Sequence, residues 1–110
     1  MKKKKIFIAC DTTSQKTVKK IISQTKTNKL NIGYKFGLEF LYSKKGRNFL
    51  SKIKKKTIFA DYKISDIPTT SSAAIGSLRD LKNISYITVH VSSGYDCLRA
   101  VKKHAKKINN

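Results

Sequence analysis

The stretch TIFADYKISDIPTTSSAAIGSLRDLK, Thr57 to Lys82, changes its periodicity midway. Thr57 to Lys63 is a short run of strand length, whereas from Thr69 to Lys82 the residues Ala74, Ile75, Leu78 and Leu81 fall on one helical stripe. A strand followed by a helix is therefore expected here. Asp61 near the end of the strand and Asp66 in the loop after it are two of only six acids in a chain with 25 basic residues.

The same unit recurs on both sides. Ile6 to Asp11 is a strand-length apolar run, followed by Ser14 as a candidate N-cap and by Val18, Ile21 and Ile22 at helical spacing. Asn31 to Gly37 precedes LEFLYSKKGRNFLSKI, in which Leu41, Phe49, Leu50 and Ile53 can face a core and Gly46 is a candidate interruption. Ser85 to Val91 precedes a segment from Gly94 to Ile108 with Leu98, Val101, Ala105 and Ile108 on one face. Four strand-helix units of about 27 residues imply a parallel sheet of buried strands with helices packed outside it. Eight such units would need roughly 220 residues, near the size of a (β/α)8 TIM barrel. The expected fold class is α/β, with residues 1–110 forming about half of one barrel domain.

Composition limits the functions that need weighing. The formal charge of +19 raises nucleic-acid binding as a rival. Only Arg47, Arg79 and Arg99 are arginines, the side chain that grips phosphate and guanine edges bidentately, and the lysines are spread along the whole chain. Solvated helix faces account for them, so no specific nucleic-acid partner is expected. MKKKKIFIAC resembles the start of an export signal, but Ile6 to Cys10 is shorter than the roughly 7–15 apolar residues such a signal needs, and Asp11 follows at once. No segment approaches the roughly 20 apolar residues of a membrane helix. Cys10 and Cys97 show no metal-ligand spacing and read as reduced, partly buried thiols, so the expected compartment is the cytoplasm.

In parallel sheets, ligand sites collect at the carboxyl ends of the strands. Asp11 ends the first strand, Lys35 the second and Asp61 with Lys63 the third, and Asp66 lies just beyond. Residues two apart on a strand share a face, so Asp61 and Lys63 should both point into the sheet's pocket, where Lys35 can join them. Breaking a buried ion pair costs about 3–5 kcal/mol, so an array of this kind is not what stability alone would select. His90 ends the fourth strand and reads either as a pocket residue or as a hydrogen-bonded core histidine, and His104 falls on a polar helix face. Ser92, Ser93 and Gly94 read as the turn into the last helix, and Glu39 as a favourable charge at a helix N-terminus.

The segments IACD, YKFGLEF, FADYKISDIPTT and ITVHVSSG, in this order, resemble the N-terminal half of orotidine 5'-phosphate decarboxylase across essentially the whole chain. The resemblance implies that Lys35, Asp61, Lys63 and Asp66 are the charged catalytic array and that Asp11 binds the substrate's ribose. It implies that Asp66, Ile67 and Thr70 reach the partner subunit's active site in a homodimer, that the substrate is orotidine 5'-phosphate, and that neither a metal nor an organic cofactor is required. Enzymes of the same superfamily that act on sugar phosphates share the D-x-K-x-x-D strand but use a metal and carry a glutamate where this chain has Lys35. The phosphate-gripping residues of the resembled family belong to its C-terminal half, and none is present in these 110 residues.

Overall fold

The computed structural model describes residues 4–108, so Met1 to Lys3 of the lysine-rich start and the final Asn109 and Asn110 lie outside the described residues. Four strands, β1 (Lys5–Ala9), β2 (Asn31–Phe36), β3 (Thr57–Ile64) and β4 (Ile84–Val89), form one sheet in the order β1-β2-β3-β4, with every neighbouring pair parallel. The helices between and after them are α1 (Gln15–Gln24), α2 (Leu38–Leu41), α3 (Gly46–Lys52), α4 (Pro68–Gly76) and α5 (Tyr95–Ile108). A sheet that grows in chain order never reverses direction, so its right-handed crossovers place the helices on one face. That is the arrangement of half a closed barrel.

The outward face of the sheet carries the core. Tyr34, Phe36, Ile58 and Ala60 of the two central strands meet Val18 of α1, Phe40 and Leu41 of α2, and Phe49 and Leu50 of α3 in one buried cluster. A second, smaller cluster joins Ile64, Ile87 and Val89 of the sheet to Ile75 of α4 and to Cys97 and Val101 of α5. Tyr34 is buried with its hydroxyl 2.7 Å from Thr25 Oγ1 at the end of α1, so the polar tip is satisfied inside an apolar layer. The inward face carries Phe7, Phe59 and Tyr86, whose ring centroids lie 5.2–6.0 Å apart. Gly33 leaves room for the Phe7 ring to cross β2, since a Cβ there would stand 2.5 Å from that ring.

Most of the expected elements are found, with instructive differences. Ser14 caps α1, its hydroxyl accepting from the Thr17 amide at 3.2 Å. The segment from Leu38 to Ile53 is two helices, broken at Tyr42 to Lys45, and Gly46 opens the second. A Cβ on Gly46 would collide with the Phe40 carbonyl oxygen, so the close approach of the two helices needs glycine there. The helix expected to reach Lys82 ends at Gly76. Beyond it the Leu78, Arg79 and Leu81 amides bond three residues back, a tighter coil that still brings Leu81 into the core. β4 stops at Val89, and Val91 with Ser92 and Ser93 forms a 3-10 turn released by Gly94 at φ 94°. The expectation of buried strands holds in the middle of β2 and β3, where Tyr34, Phe36, Ile58 and Ala60 are buried, but not at the edges, where Ile6 and Tyr86 are each 43% exposed. His104 does not lie on a free polar face: it sits against Gly76 in the α4–α5 contact, its Nδ1 3.0 Å from Ser72 Oγ.

Gly46→Ala is expected to destabilise the chain by about 1–3 kcal/mol, because a backbone carbonyl cannot step aside as a side chain can. Gly37→Ala, where nothing stands within 4 Å of the added Cβ, is the matched control. Urea midpoints of the two variants measured side by side check this, and similar midpoints would contradict the close-approach explanation.

Candidate active site

The carboxyl ends of the strands converge on one polar cluster. Asp61 sits near the end of β3 with its side chain 13% exposed, and its Oδ2 accepts from Lys63 Nζ at 2.5 Å. Its second oxygen, Oδ1, accepts from the Thr88 hydroxyl of β4 at 2.6 Å. These two bonds, the Lys63 one foremost, hold the Asp61 carboxyl below its ordinary value of 3.8 against the opposing effect of burial, and the charges of Lys63 and Lys35 add to them. A carboxyl held down in this way contributes stability that is complete above the unfolded value and is lost as pH falls through the folded midpoint. At neutral pH Asp61 is an anion fixed on both oxygens.

Lys63 reaches this position by an irregular route. Regular alternation would place Asp61 and Lys63 on one face, but the β3–β4 pairing is interrupted between Ala60 and Ile64, and Lys63 has φ 52°. Its amide, displaced from the ladder, donates to Thr88 Oγ1 at 2.9 Å. The ammonium remains open to solvent, with the side chain 49% exposed. A left-handed lysine in a strand is uncommon, and strain of this kind collects where a side chain must be aimed.

The other expected residues are arranged around this pair. Lys35 lies on β2 at the level of Phe59 and acts on Asp61 through its charge, without an ion pair of its own among the described residues. Its carbonyl accepts the Cys10 amide at 2.9 Å, which fixes the end of β1 beside it, and Asp11 stands exposed one residue further on. Asp66 is exposed and turned toward its own chain, accepting from the Ile67 amide at 2.7 Å. Ile67 and Thr70 are exposed as well, and Asp66 and Thr70 line a shallow cavity together with Lys63. His90 is exposed at the end of β4, which removes the core-histidine reading. Cys10 is fully buried and its thiol is pushed up to about 11, first by burial and then by Asp11, which leaves it protonated and unreactive.

Thr88 is the residue that reading the sequence missed. Nothing in ITVHV distinguishes an inward threonine from ordinary strand filler; the bulge in β3 is what sets its hydroxyl between Asp61 Oδ1 and the Lys63 amide. Leu38, Tyr42, Ile67, Val91 and Tyr95 are exposed apolar residues on the loops and short helices that follow β2, β3 and β4.

Comparison with known proteins gives this geometry a family. The orotidine 5'-phosphate decarboxylase from Fusobacterium nucleatum is 34% identical over 103 residues, covering 92% of this chain and 42% of its own. That from Methanocaldococcus jannaschii is 32% identical over 110 residues, covering 96% and 48%. Among solved structures, the M. jannaschii orotidine 5'-monophosphate decarboxylase complexed with the inhibitor BMP superposes with a TM-score of 0.80 at 30% identity, over 99% of this chain and 50% of that one. The Lactobacillus acidophilus orotidine 5'-phosphate decarboxylase gives 0.77 at 26% identity, over 90% and 44%. The chain thus spans about half the length of the relatives it matches, and its four parallel strands and their helices correspond to half of their barrel. The family model described as "Orotidine 5'-phosphate decarboxylase / HUMPS family" matches residues 4–110, and with a match over nearly its whole length the chain belongs to that family.

Proposed function

We propose that this chain supplies the charged half of an active site that decarboxylates orotidine 5'-phosphate to UMP. The observation that carries the reading is the Asp61–Lys63 pair, an ionised carboxylate and an open ammonium held together at the end of a parallel strand. In the reaction the bond from C6 of the pyrimidine to the carboxylate breaks, its electron pair stays on C6, and carbon dioxide leaves. Lys63 is the cation beside that carbon: it stabilises the developing carbanion and then gives it a proton. Asp61 faces the departing carboxylate. Two such charges about 4 Å apart repel by about 4 kcal/mol at an effective dielectric constant of 20, and the repulsion vanishes as neutral carbon dioxide forms. At 1.4 kcal/mol per tenfold, that is on the order of a thousandfold in rate. Lys35 keeps the cluster's charge balanced, and Asp11 serves the ribose hydroxyls.

The remaining parts of the reading concern what completes the site. Asp66, Ile67 and Thr70 are exposed and open to a neighbouring subunit, and the exposed Leu38, Tyr42, Ile67, Val91 and Tyr95 give a second copy apolar surface to cover. Both features support a homodimer in which Asp66, Ile67 and Thr70 of each subunit complete the site of the other. The substrate phosphate needs further residues, since the chain covers half of its relatives. Lys35 on the second strand favours this activity over the metal-using sugar-phosphate enzymes of the superfamily.

The 110-residue chain alone is expected to leave the absorbance of orotidine 5'-phosphate unchanged. Remote binding energy from the phosphate would be missing, and with it the positioning of the pyrimidine over Lys63. Substantial turnover by the chain alone would show that two copies build a working site unaided. Activity is expected from a chimera that joins this chain to the second half of the M. jannaschii relative. In it, Lys63→Ala is expected to lower kcat by about 10²–10⁴-fold with the fold retained; a rate within tenfold of the parent would exclude Lys63 as proton donor. Inactive Lys63→Ala and Asp66→Ala chimeras, once mixed, should regain about a quarter of parental activity, because half the dimers are mixed and each has one intact site. No recovery despite proven subunit exchange would rule out the shared site.

A further inference from the structure

Between the paired residues Ala60↔Ile87 and Ile64↔Val89, β3 holds three residues, Asp61, Tyr62 and Lys63, and β4 holds one, Thr88. A bulge of this kind leaves backbone groups of the longer strand without ladder partners. The Thr88 side chain takes over that task for the Lys63 amide at 2.9 Å, and the same oxygen bonds Asp61 Oδ1 at 2.6 Å. The direction of both bonds is fixed by chemistry. An amide can only donate and an ionised carboxylate can only accept, so the single hydroxyl proton points at Asp61 while a lone pair faces the Lys63 amide.

We infer that Thr88 is a positioning residue: one hydroxyl clamps the carboxylate of Asp61 and the backbone of Lys63 in a common geometry, so that the 2.5 Å ion pair is assembled before substrate arrives. Without the clamp, Lys63 keeps its left-handed backbone at φ 52° with no partner for its amide, and Asp61 keeps one fixed oxygen instead of two. Preorganisation of this kind matters because misplacement by a fraction of an ångström weakens a group meant for a transition state. The inference rests on Asp61 and Lys63 being the reacting pair only for its catalytic consequence. The clamp itself is a property of the chain and can be measured without turnover.

Carbon-detected NMR on the 110-residue chain follows the Asp61 carboxyl directly. Thr88→Val, which keeps the shape and removes the hydroxyl, is expected to move the Asp61 midpoint up toward 3.8 and to speed exchange of the Lys63 amide proton, and Thr88→Ser is expected to restore both. An Asp61 midpoint and a Lys63 exchange rate that stay at the parental values in Thr88→Val would overturn the inference. The unsubstituted chain gives a second test that does not depend on a variant folding. Its Lys63 amide proton should shift with the same midpoint as the Asp61 carboxyl, through the shared hydroxyl, and an amide indifferent to that titration would also overturn the inference. In the chimera, Thr88→Val should lower kcat about ten- to a hundredfold while KM changes little, with recovery in Thr88→Ser. A positive NMR result with an inactive chimera would leave the clamp standing and count against the decarboxylase reading alone.

Discussion

Everything distinctive about this site follows from a mismatch in strand length: three residues of β3 lie opposite one of β4. In a regular strand, side chains at positions i and i+2 stand side by side but need not touch. The bulge and the left-handed turn at Lys63 bring its ammonium onto Asp61, and the displaced amide would be an unmet donor were Thr88 not opposite it. The sheet supports this irregularity because β3 is a central strand. Ile58 and Ala60 are buried before the bulge, and Ile64 packs on Ile75 and Cys97 after it, so the strand is anchored on both sides.

The architecture was legible because each of its signals is local. Ser14 as a cap, the stripes of α1 and α5, and the apolar strand cores can each be read within about one helical turn or one pleat. What failed had non-local causes. The stripe after β3 runs on through Leu78 and Leu81, yet the helix ends at Gly76 and a tighter coil of three-back bonds delivers Leu81 to the core. His104 looked solvated along its own helix and is instead set against Gly76 of another. For the site, the positions of Asp61, Lys63 and Lys35 were legible from strand ends, but the bulge that unites them was not. Neither was Thr88, since pairing register is a property of two strands and each strand's pattern is silent about the other's length.

The charge of the chain divides into two populations. Among the described lysines only Lys35 and Lys56 are partly buried rather than exposed, so nearly all of the +19 is solvated and screened over about 10 Å at ordinary salt. Such charge sets solubility and encounter rates more than it sets chemistry. Lys35 differs because it sits on the inward face, level with Phe59 and Tyr86 in register, where its field reaches Asp61. Its position gives Lys35 an influence on Asp61 that, among the other lysines, only Lys63 exerts.

The half-open state of the sheet sets the strength of the ion pair. β1 and β4 are edges with unpaired backbone groups, and beside β4 runs a groove of about 540 Å³ lined by residues that include Ile75, Leu81, Tyr86, Val101 and Ile108. On the inward face the aromatic trio of Phe7, Phe59 and Tyr86 forms a floor, but the Lys63 side chain is still 49% exposed to water. A pair at 2.5 Å in that setting is a weak device, since water screens it from one side. Covering the edges and the inward face with further strand-helix units removes that water, and each interaction in the cluster then strengthens with the falling local dielectric. The same step would make every missing hydrogen bond more expensive, which favours a cluster that satisfies its own polar groups. Asp61 does so in this chain: its two oxygens are matched to an ammonium and a hydroxyl, and the strand irregularity that aims Lys63 is resolved by that same hydroxyl.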